Sequence, residues 1–261
     1  MRGFGYIPDT PDERDKLLSA HSVYGLPTVE FANVDVVSIG PKFQAGSQSC
    51  VGQGISSGLR LAYIHTGIVC PELSALACYR GARNIDGNAG DVGTMIRSGM
   101  RAVMEVGIPT EEFWPFSMER VNTQLPFKGI HAGFDRYGIR AYRRVAPGDL
   151  DGMARSLSVG WPLAAGWKVT GGFVGGSGLD IVDAQRDPFV GGHAMDVVTV
   201  GSRDRMIAEF GDNIPPTNEK RLWRILTSWG PWGFRGRFYA TDAFVEGATD
   251  IWSMDVTSEA A

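Results

Sequence analysis

Apolar residues recur with a helical period in one part of this chain and with strand patterns in another, which limits the folds open to it. Between Val51 and Tyr63 they fall at three- and four-residue steps, as on one face of a helix. Two further helices are predicted, one from near Glu72 and one after Gly93 that ends at Gly107. Beyond about residue 135 the pattern is typical of strands. Helices followed by strands predict an α+β chain with two lobes and a cleft between them.

The chain is predicted to form one domain, residues 1–261, in three parts. Residues 1–43 carry four prolines and are predicted to be an irregular leader on the surface, with a short strand around 34–39. Residues 44–130 make the mainly helical lobe and residues 131–261 the mainly β lobe. Within the β lobe, the glycine-rich stretch 171–180 is predicted to be a flexible loop. The predicted strands lie near 160–169, 193–201, 221–230 and 235–240.

Composition excludes several classes of protein. The 25 basic and 29 acidic side chains give a net charge of −4, and no basic run indicates binding to nucleic acid or to a membrane surface. No apolar stretch could span a bilayer, and the N-terminus lacks the apolar core of a secretion signal. Three cysteines favour a cytoplasmic or otherwise reducing location over a disulfide framework. Scattered histidines without CxxC or HExxH spacing predict no metal site, and no cofactor is predicted.

Cys50 and His193 are the residues whose chemistry fits catalysis. Cys50 opens the first predicted helix, with Ser49 as its candidate N-cap, and the positive end of a helix lowers the pKa of a cysteine. Gln44 lies on the approach loop, so its amide can point at the same place. His193 lies on a predicted strand that can face the thiol across the cleft. Singly, Cys50 and His193 are each more typical of core residues; together they predict thiol catalysis.

Five blocks along the chain resemble, in order, the motifs of papain-family cysteine peptidases. The blocks are QAGSQSC at 44–50, GIPTEEFWPF at 107–116, GWPL at 160–163, GHA at 192–194 and SWGPWGFRG at 228–236. The first block is similar to the family's Q-x-x-C-x-S-C motif, and the last block is similar to its S-W-G-x-x-W-G-x-x-G motif. The resemblance implies a papain-like fold, in which a helical lobe and an antiparallel β lobe place the active site in the cleft between them.

The resemblance also implies roles for individual residues. Cys50 would be the nucleophile and His193 the general base and acid, while Gln44 and the backbone N–H of Cys50 would stabilise the oxyanion. The implied substrate-side residues are Gly93, which would pair with an extended substrate, Gly192, and Trp229, which would shield the histidine from water. Alternatively, Gly93 only begins a helix and Trp229 is a core aromatic residue.

Three departures from the family pattern affect what the chain is expected to do. The family's disulfide is missing at both ends, at Ser47 and in the turn at 88–93. Cys50 lies too near the start of the chain for a long inhibitory propeptide, as in prokaryotic and viral relatives, so control is expected from location or substrate access. Thr227 stands where the family places the Asn that orients the histidine, and its shorter side chain is expected to act through a water. A hydrogen bond contributes about 1 kcal/mol, so Thr227 is expected to slow the reaction rather than abolish it.

The sequence therefore predicts a cysteine endopeptidase that acts on a protein or peptide substrate, and it leaves a virus-associated location open. Two alternatives stay open: an inactive papain-like binding or scaffolding protein, for which Thr227 is the main support, and an amidase acting on cell-wall peptides. Substrate side-chain preference and oligomeric state do not follow from the sequence.

Overall fold

The computed structural model describes residues 2–37, 39–123 and 137–257. The helices in these ranges are Cys50–His65 (α1), Ala75–Asp86 (α2), Ile96–Glu105 (α3), Leu150–Ser158 (α4), Gly171–Gly175 (α5), Arg203–Phe210 (α6) and Asp242–Glu246 (α7). The strands are Ala32–Asn33 (β1), Ala141–Val145 (β2), Leu163–Thr170 (β3), Phe189–Gly201 (β4), Leu222–Leu226 (β5), Arg237–Ala240 (β6) and Asp250–Asp255 (β7). Trp232–Arg235 is a kinked turn in which Gly233 leaves helical backbone angles.

The described strands form one antiparallel sheet. Their order is β2–β7–β3–β4–β5–β6, and β1 pairs with β4 beside this path. The predicted strands of the β lobe are confirmed, including the adjacency of β4 and β5, which pair directly. The mixed fold of helices and an antiparallel sheet is therefore as predicted. None of the helices in the described ranges is long and apolar enough to cross a membrane.

The first helix lies at the centre of the molecule, between the other helices and the sheet. It contacts α2 on one side and β4 on the other. A side chain at Gly52 would overlap the carbonyl oxygen of Ala75 in α2, so this glycine is needed for the close approach of the two helices. The predicted central and buried position of α1 is confirmed. Its first residue, Cys50, consequently lies where the helices meet the sheet.

The prediction that the leader lies on the surface is wrong. Leu18 and Val34 are fully buried in the core, and residues near the N-terminus run between the lobes. The predicted strand at 34–39 is also wrong: the strand is β1, which ends at Asn33, because Asp35 turns inward to buried arginines. The predicted lobe boundary at 130/131 falls outside the described residues and stays a prediction.

The glycine-rich stretch 171–180 is only partly the predicted loop. It begins with α5, whose first turn is capped by the Thr170 hydroxyl accepting from the N–H of Phe173. Its second part is tied to the turn at 232–235 by two hydrogen bonds: Trp232 Nε1 donates to the oxygen of Gly176 (2.6 Å), and Gly233 N donates to the oxygen of Ser177 (3.1 Å).

Candidate active site

Cys50 is the first residue of α1, and its sulfur lies against strand β4. The backbone N–H of Ala194 donates to Cys50 Sγ over 3.4 Å, which brings the residue after His193 into contact with the sulfur. Ser49 occupies the N-cap position as predicted, but its side chain makes no capping bond. Its hydroxyl instead meets the Ser47 hydroxyl at 2.7 Å and accepts from Gln53 Nε2 at 3.2 Å. The thiol is thus held at the helix end by a polar loop and by the sheet.

His193 is held on β4 by a hydroxyl on one side of its ring and an indole on its face. Its Nε2 lies 3.0 Å from Thr227 Oγ1. The predicted water between the two residues is therefore wrong, because the sheet brings β4 and the end of β5 close enough for direct contact. Trp229 stacks on the imidazole with ring centres 4.3 Å apart and an angle of 18°. Among the described residues, Nδ1 has no hydrogen-bond partner, so it is the ring nitrogen left to accept a proton.

Burial controls the protonation of both groups in this arrangement. Desolvation raises the pKa of the Cys50 thiol to about 12. Desolvation, assisted by the positive charge of Arg2, lowers the pKa of His193 to about 3. Burial therefore favours the neutral forms of both groups in this arrangement, and the predicted thiolate stays a prediction. The end of a helix contributes at most about 2 kcal/mol, which is less than the cost of burying an isolated charge.

Gln44 is fully buried on the loop that leads to Cys50, and its amide is oriented by two neighbours. The Ser228 hydroxyl donates to Gln44 Oε1, and Gln44 Nε2 donates to the carbonyl oxygen of Ser47 over 2.8 Å. Sequence reasoning overlooked Ser228 as a functional candidate, although it lies inside the SWG block that carried the resemblance. The backbone of Gln44 also donates to the oxygen of Ser228 (3.0 Å), so the approach loop is fixed to the β lobe.

An extended N-terminal segment fills the cleft next to these residues. Gly5 N and Tyr6 N both donate to the oxygen of Gly192, over 2.9 and 3.1 Å. On the opposite side, Thr94 N donates to the oxygen of Gly5 (2.9 Å), and Ile7 N donates to the oxygen of Thr94 (3.1 Å). The segment therefore bridges the helical lobe and the sheet, and Cys50 and His193 are both 0% exposed. No local sequence pattern near the N-terminus predicted this position.

The two glycines implied as substrate-side residues both line this segment. A side chain at Gly192 would overlap the oxygen of Tyr6, and one at Gly93 would overlap the oxygen of Gly5. Gly93 adopts φ 87°, a left-handed conformation that favours glycine, and its N–H donates to the Tyr79 hydroxyl over 3.0 Å. The edge that pairs with an extended chain is therefore Thr94, one residue beyond the predicted Gly93.

Comparison with known proteins supports the resemblance seen in the sequence. No family model matches the chain. A protein of Acanthamoeba polyphaga mimivirus named as an uncharacterized peptidase C1-like protein is 21% identical over 290 residues, which cover 99% of this chain and 88% of its own length. The crystal structure of xylellain, a cysteine protease from Xylella fastidiosa, is similar with a TM-score of 0.75 and 24% identity, covering 98% of this chain and 97% of that one.

A procathepsin B from Trypanosoma congolense is similar with a TM-score of 0.71 and 15% identity, over 98% of this chain and 87% of its own. These likenesses extend over nearly the whole chain, so both the helices and the sheet are shared. The chain therefore has the papain-like cysteine protease fold, as the resemblance of its motifs implied.

Proposed function

We propose that the protein is a cysteine endopeptidase with Cys50 as nucleophile and His193 as general base and acid. The observation that carries this proposal is the arrangement around His193. Thr227 holds Nε2 at 3.0 Å, Trp229 covers the ring, and Nδ1 has no hydrogen-bond partner in the described part of the chain; the strand that carries this ring contacts the Cys50 sulfur. A histidine oriented in this way, on the strand that contacts the thiol, can take the thiol proton once Nδ1 and the sulfur come within hydrogen-bond reach.

The reaction follows from these positions. His193 Nδ1 takes the thiol proton, and the sulfur of Cys50 attacks the peptide carbonyl carbon. Gln44 Nε2 and the backbone N–H of Cys50 donate to the resulting oxyanion. When the oxyanion collapses, the C–N bond breaks and the imidazolium of His193 protonates the leaving amine. A water molecule, deprotonated by His193, then attacks the thioester, and the acid product leaves as the thiol regains its proton.

A polypeptide substrate is supported by the way the cleft already holds extended chain. The oxygen of Gly192 and the backbone N–H and oxygen of Thr94 all bond to the N-terminal segment. Strand addition of this kind binds a peptide through main-chain hydrogen bonds, and those bonds do not depend on which side chains the peptide carries. The names of the mimivirus relative and of xylellain, a peptidase C1-like protein and a cysteine protease, point in the same direction.

The class of substrate is tested by incubating the wild type and Cys50→Ala with casein and, separately, with peptidoglycan fragments. Cleavage of casein by the wild type only is the result expected of the endopeptidase. Cleavage of peptidoglycan peptides alone would replace the proposal with a cell-wall amidase. If the wild type cuts neither substrate, a binding or scaffolding role takes over. Thr227 no longer favours that role, since its hydroxyl reaches His193 directly.

Thr227→Val is expected to lower kcat for a peptide substrate about tenfold, with little change in KM. The variant keeps the shape of the side chain and removes the hydroxyl, which leaves His193 Nε2 buried without a partner; that loss costs about 1–3 kcal/mol. Thr199→Val is the matched control. Thr199 lies on the same strand as His193, but its hydroxyl donates to Asn33 Oδ1 over 2.8 Å, away from the imidazole ring. Equal kcat values for the two variants would show that Thr227 does not orient the histidine.

A further inference from the structure

We propose that Asp91 is a positioning residue of the candidate site, which ties the loop that carries the oxyanion donors to the edge that pairs with substrate main chain. Asp91 lies in the turn between α2 and α3. Its carboxylate accepts from the backbone N–H of Gln48 and from the Tyr79 hydroxyl, which in turn accepts from the N–H of Gly93. These bonds are here called the Asp91 tether. The inference rests on the proposed function, because it describes how the groups of that site are held.

The first end of the tether is on the approach loop. Gln48 N donates to both oxygens of Asp91, over 3.0 Å to Oδ1 and 3.2 Å to Oδ2. Gln48 directly precedes the N-cap of α1, and the proposed oxyanion donors, the amide of Gln44 and the N–H of Cys50, lie on either side of it. The start of this loop is fixed to the β lobe by the bond from Gln44 N to the oxygen of Ser228. Asp91 fixes its other end to the helical lobe.

The approach loop needs such outside support because one of its residues is strained. Ala45 has φ 52°, in the left-handed region that residues other than glycine rarely adopt, and such strain persists only where surrounding structure enforces it. Bonds inside the loop, such as that from Gln44 Nε2 to the oxygen of Ser47, move with the loop and do not set its position against the helices. The bond to Asp91 does set it, and a hydrogen bond to a carboxylate is stronger than one between neutral groups.

The second end of the tether is at the edge that pairs with an extended chain. The Tyr79 hydroxyl donates to Asp91 Oδ1 over 2.7 Å and accepts from Gly93 N over 3.0 Å. Gly93 directly precedes Thr94, whose N–H and oxygen pair with main chain in the cleft. A hydroxyl that donates to a charged group becomes a better acceptor, because hydrogen bonds in a line polarise one another. Loss of the carboxylate is therefore expected to weaken both ends of the tether.

Tyr79 is held firmly enough to transmit this restraint. It is fully buried on α2, and the guanidinium of Arg83 lies 4.4 Å from its ring centre. Helix α1 packs directly against it, because a side chain at Gly52 would overlap the Cβ of Tyr79. Arg83 also donates to the oxygen of Gly90, in the turn that carries Asp91. Burial, and then the bond to Asp91, raise the pKa of Tyr79, so the hydroxyl keeps the proton that it donates.

The tether is tested without turnover by measuring, with NMR of the full chain, how fast backbone amide hydrogens exchange with solvent. Asp91→Ala removes the acceptor of Gln48 and the partner of Tyr79, so the amides of Gln48 and Gly93 are both expected to exchange at least about tenfold faster. Tyr79→Phe removes only the acceptor of Gly93. Exchange of Gly93 is expected to rise about tenfold in this variant, and that of Gln48 less than about threefold.

Two control variants remove similar bonds elsewhere in the molecule. Asp183→Ala removes a carboxylate that accepts from a threonine hydroxyl over 2.7 Å in the β lobe, and Tyr63→Phe removes an α1 hydroxyl that donates to a carbonyl oxygen over 2.8 Å. Neither control is expected to change exchange at the two tether amides. The amide of Val34, which is bonded to β4 in the core, reports unfolding of the whole protein. Unchanged exchange of Gln48 in Asp91→Ala, or an equal increase at Val34, would overturn the proposal.

Peptide cleavage shows whether the tether positions the site as well as joining its two sides. Tyr79→Phe acts on the substrate edge and is expected to raise KM about tenfold, with kcat within about threefold of the wild-type value. Asp91→Ala acts on both ends and is expected to raise KM to a similar extent and to lower kcat about tenfold. A loss of folded protein would lower kcat alone, because the remaining folded molecules bind substrate as before. An unchanged KM in both variants would contradict the positioning role.

A double-mutant cycle with Gln44 shows whether the effect of Asp91→Ala on kcat passes through the oxyanion donors. In a Gln44→Ala background, Asp91→Ala is expected to lower kcat less than about threefold, because one of the donors that it positions is already absent. A loss of about tenfold in both backgrounds would mean that Asp91 does not act through this loop. Amide exchange requires no turnover. The expected exchange pattern in a protein that cuts no peptide would therefore reject the endopeptidase and leave the Asp91 tether established.

Discussion

His193→Gln is expected to lower kcat/KM for a peptide substrate by about 10³–10⁴-fold, because proton transfer by a positioned side chain contributes about 10²–10⁴ and the thiol also loses its activating base. Burial raises the pKa of Cys50 to about 12, so without a base the sulfur stays protonated at neutral pH. The amide of glutamine can keep a hydrogen bond to Thr227 but cannot accept the proton. The measurement is a steady-state assay with a fluorogenic peptide.

Met195→Leu provides the control for this experiment. Met195 lies on the same strand and the same face as His193 and is buried in the core. A swap between side chains of similar volume costs less than about 1.5 kcal/mol, so kcat/KM is expected to stay near the wild-type value. Thermal unfolding of both variants shows whether the fold is intact. If folded His193→Gln kept more than about a tenth of the wild-type kcat/KM, His193 would not be the base, since a positioned base contributes at least about 10².

Asp35→Ala is expected to destabilise the protein by about 3–5 kcal/mol, because it removes the carboxylate shared by the buried guanidinium groups of Arg237 and Arg224, of which Arg224 keeps a second acidic partner in Asp212 at 3.6 Å. Asp35 accepts from Arg237 Nε at 2.9 Å and from a second nitrogen of the same guanidinium at 3.0 Å, and Arg224 donates to it as well. All three side chains are almost completely buried. Urea unfolding followed by tryptophan fluorescence measures the change in the free energy of unfolding.

This ion cluster also supports the candidate site. Arg224 lies on β5 and Arg237 on β6, and Thr227 follows directly after β5. Asp12→Ala is the matched control: Asp12 pairs with Arg14 at 2.7 Å, but the arginine side chain is 89% exposed, so no measurable change in stability is expected. A destabilisation by Asp35→Ala no larger than that of the control would mean that the cluster does not hold β5 and β6 in place.

The sequence predicted the parts of the site that depend on local pattern and on short motifs. The apolar period after Cys50 placed the thiol at the start of a central helix, and α1 begins at that residue. The strand predicted at 193–201 lies within β4, Phe189–Gly201. These predictions succeed because backbone geometry sets the periods of helices and strands, and a short stretch of sequence is enough to show those periods.

Other features depended on contacts between distant segments. Thr227 meets His193 directly because β4 and β5 pair in a particular register, and a side-chain length read from sequence carries no information on that register. Met104 is an apolar residue of α3 but is 43% exposed, since the surfaces that cover a helix come from elsewhere in the chain.

From the sequence alone followed the fold class, the helices α1–α3, the strands β3–β6 and the residue types able to carry thiol chemistry. Only the tertiary structure decided that the leader enters the cleft, that Cys50 and His193 are buried there, and that Asp250 anchors the N-terminal segment. The physical reason is that the leader is bound largely through backbone hydrogen bonds, which every residue type except proline can make. Burial, which sets both pKa values, likewise exists only once distant segments have come together.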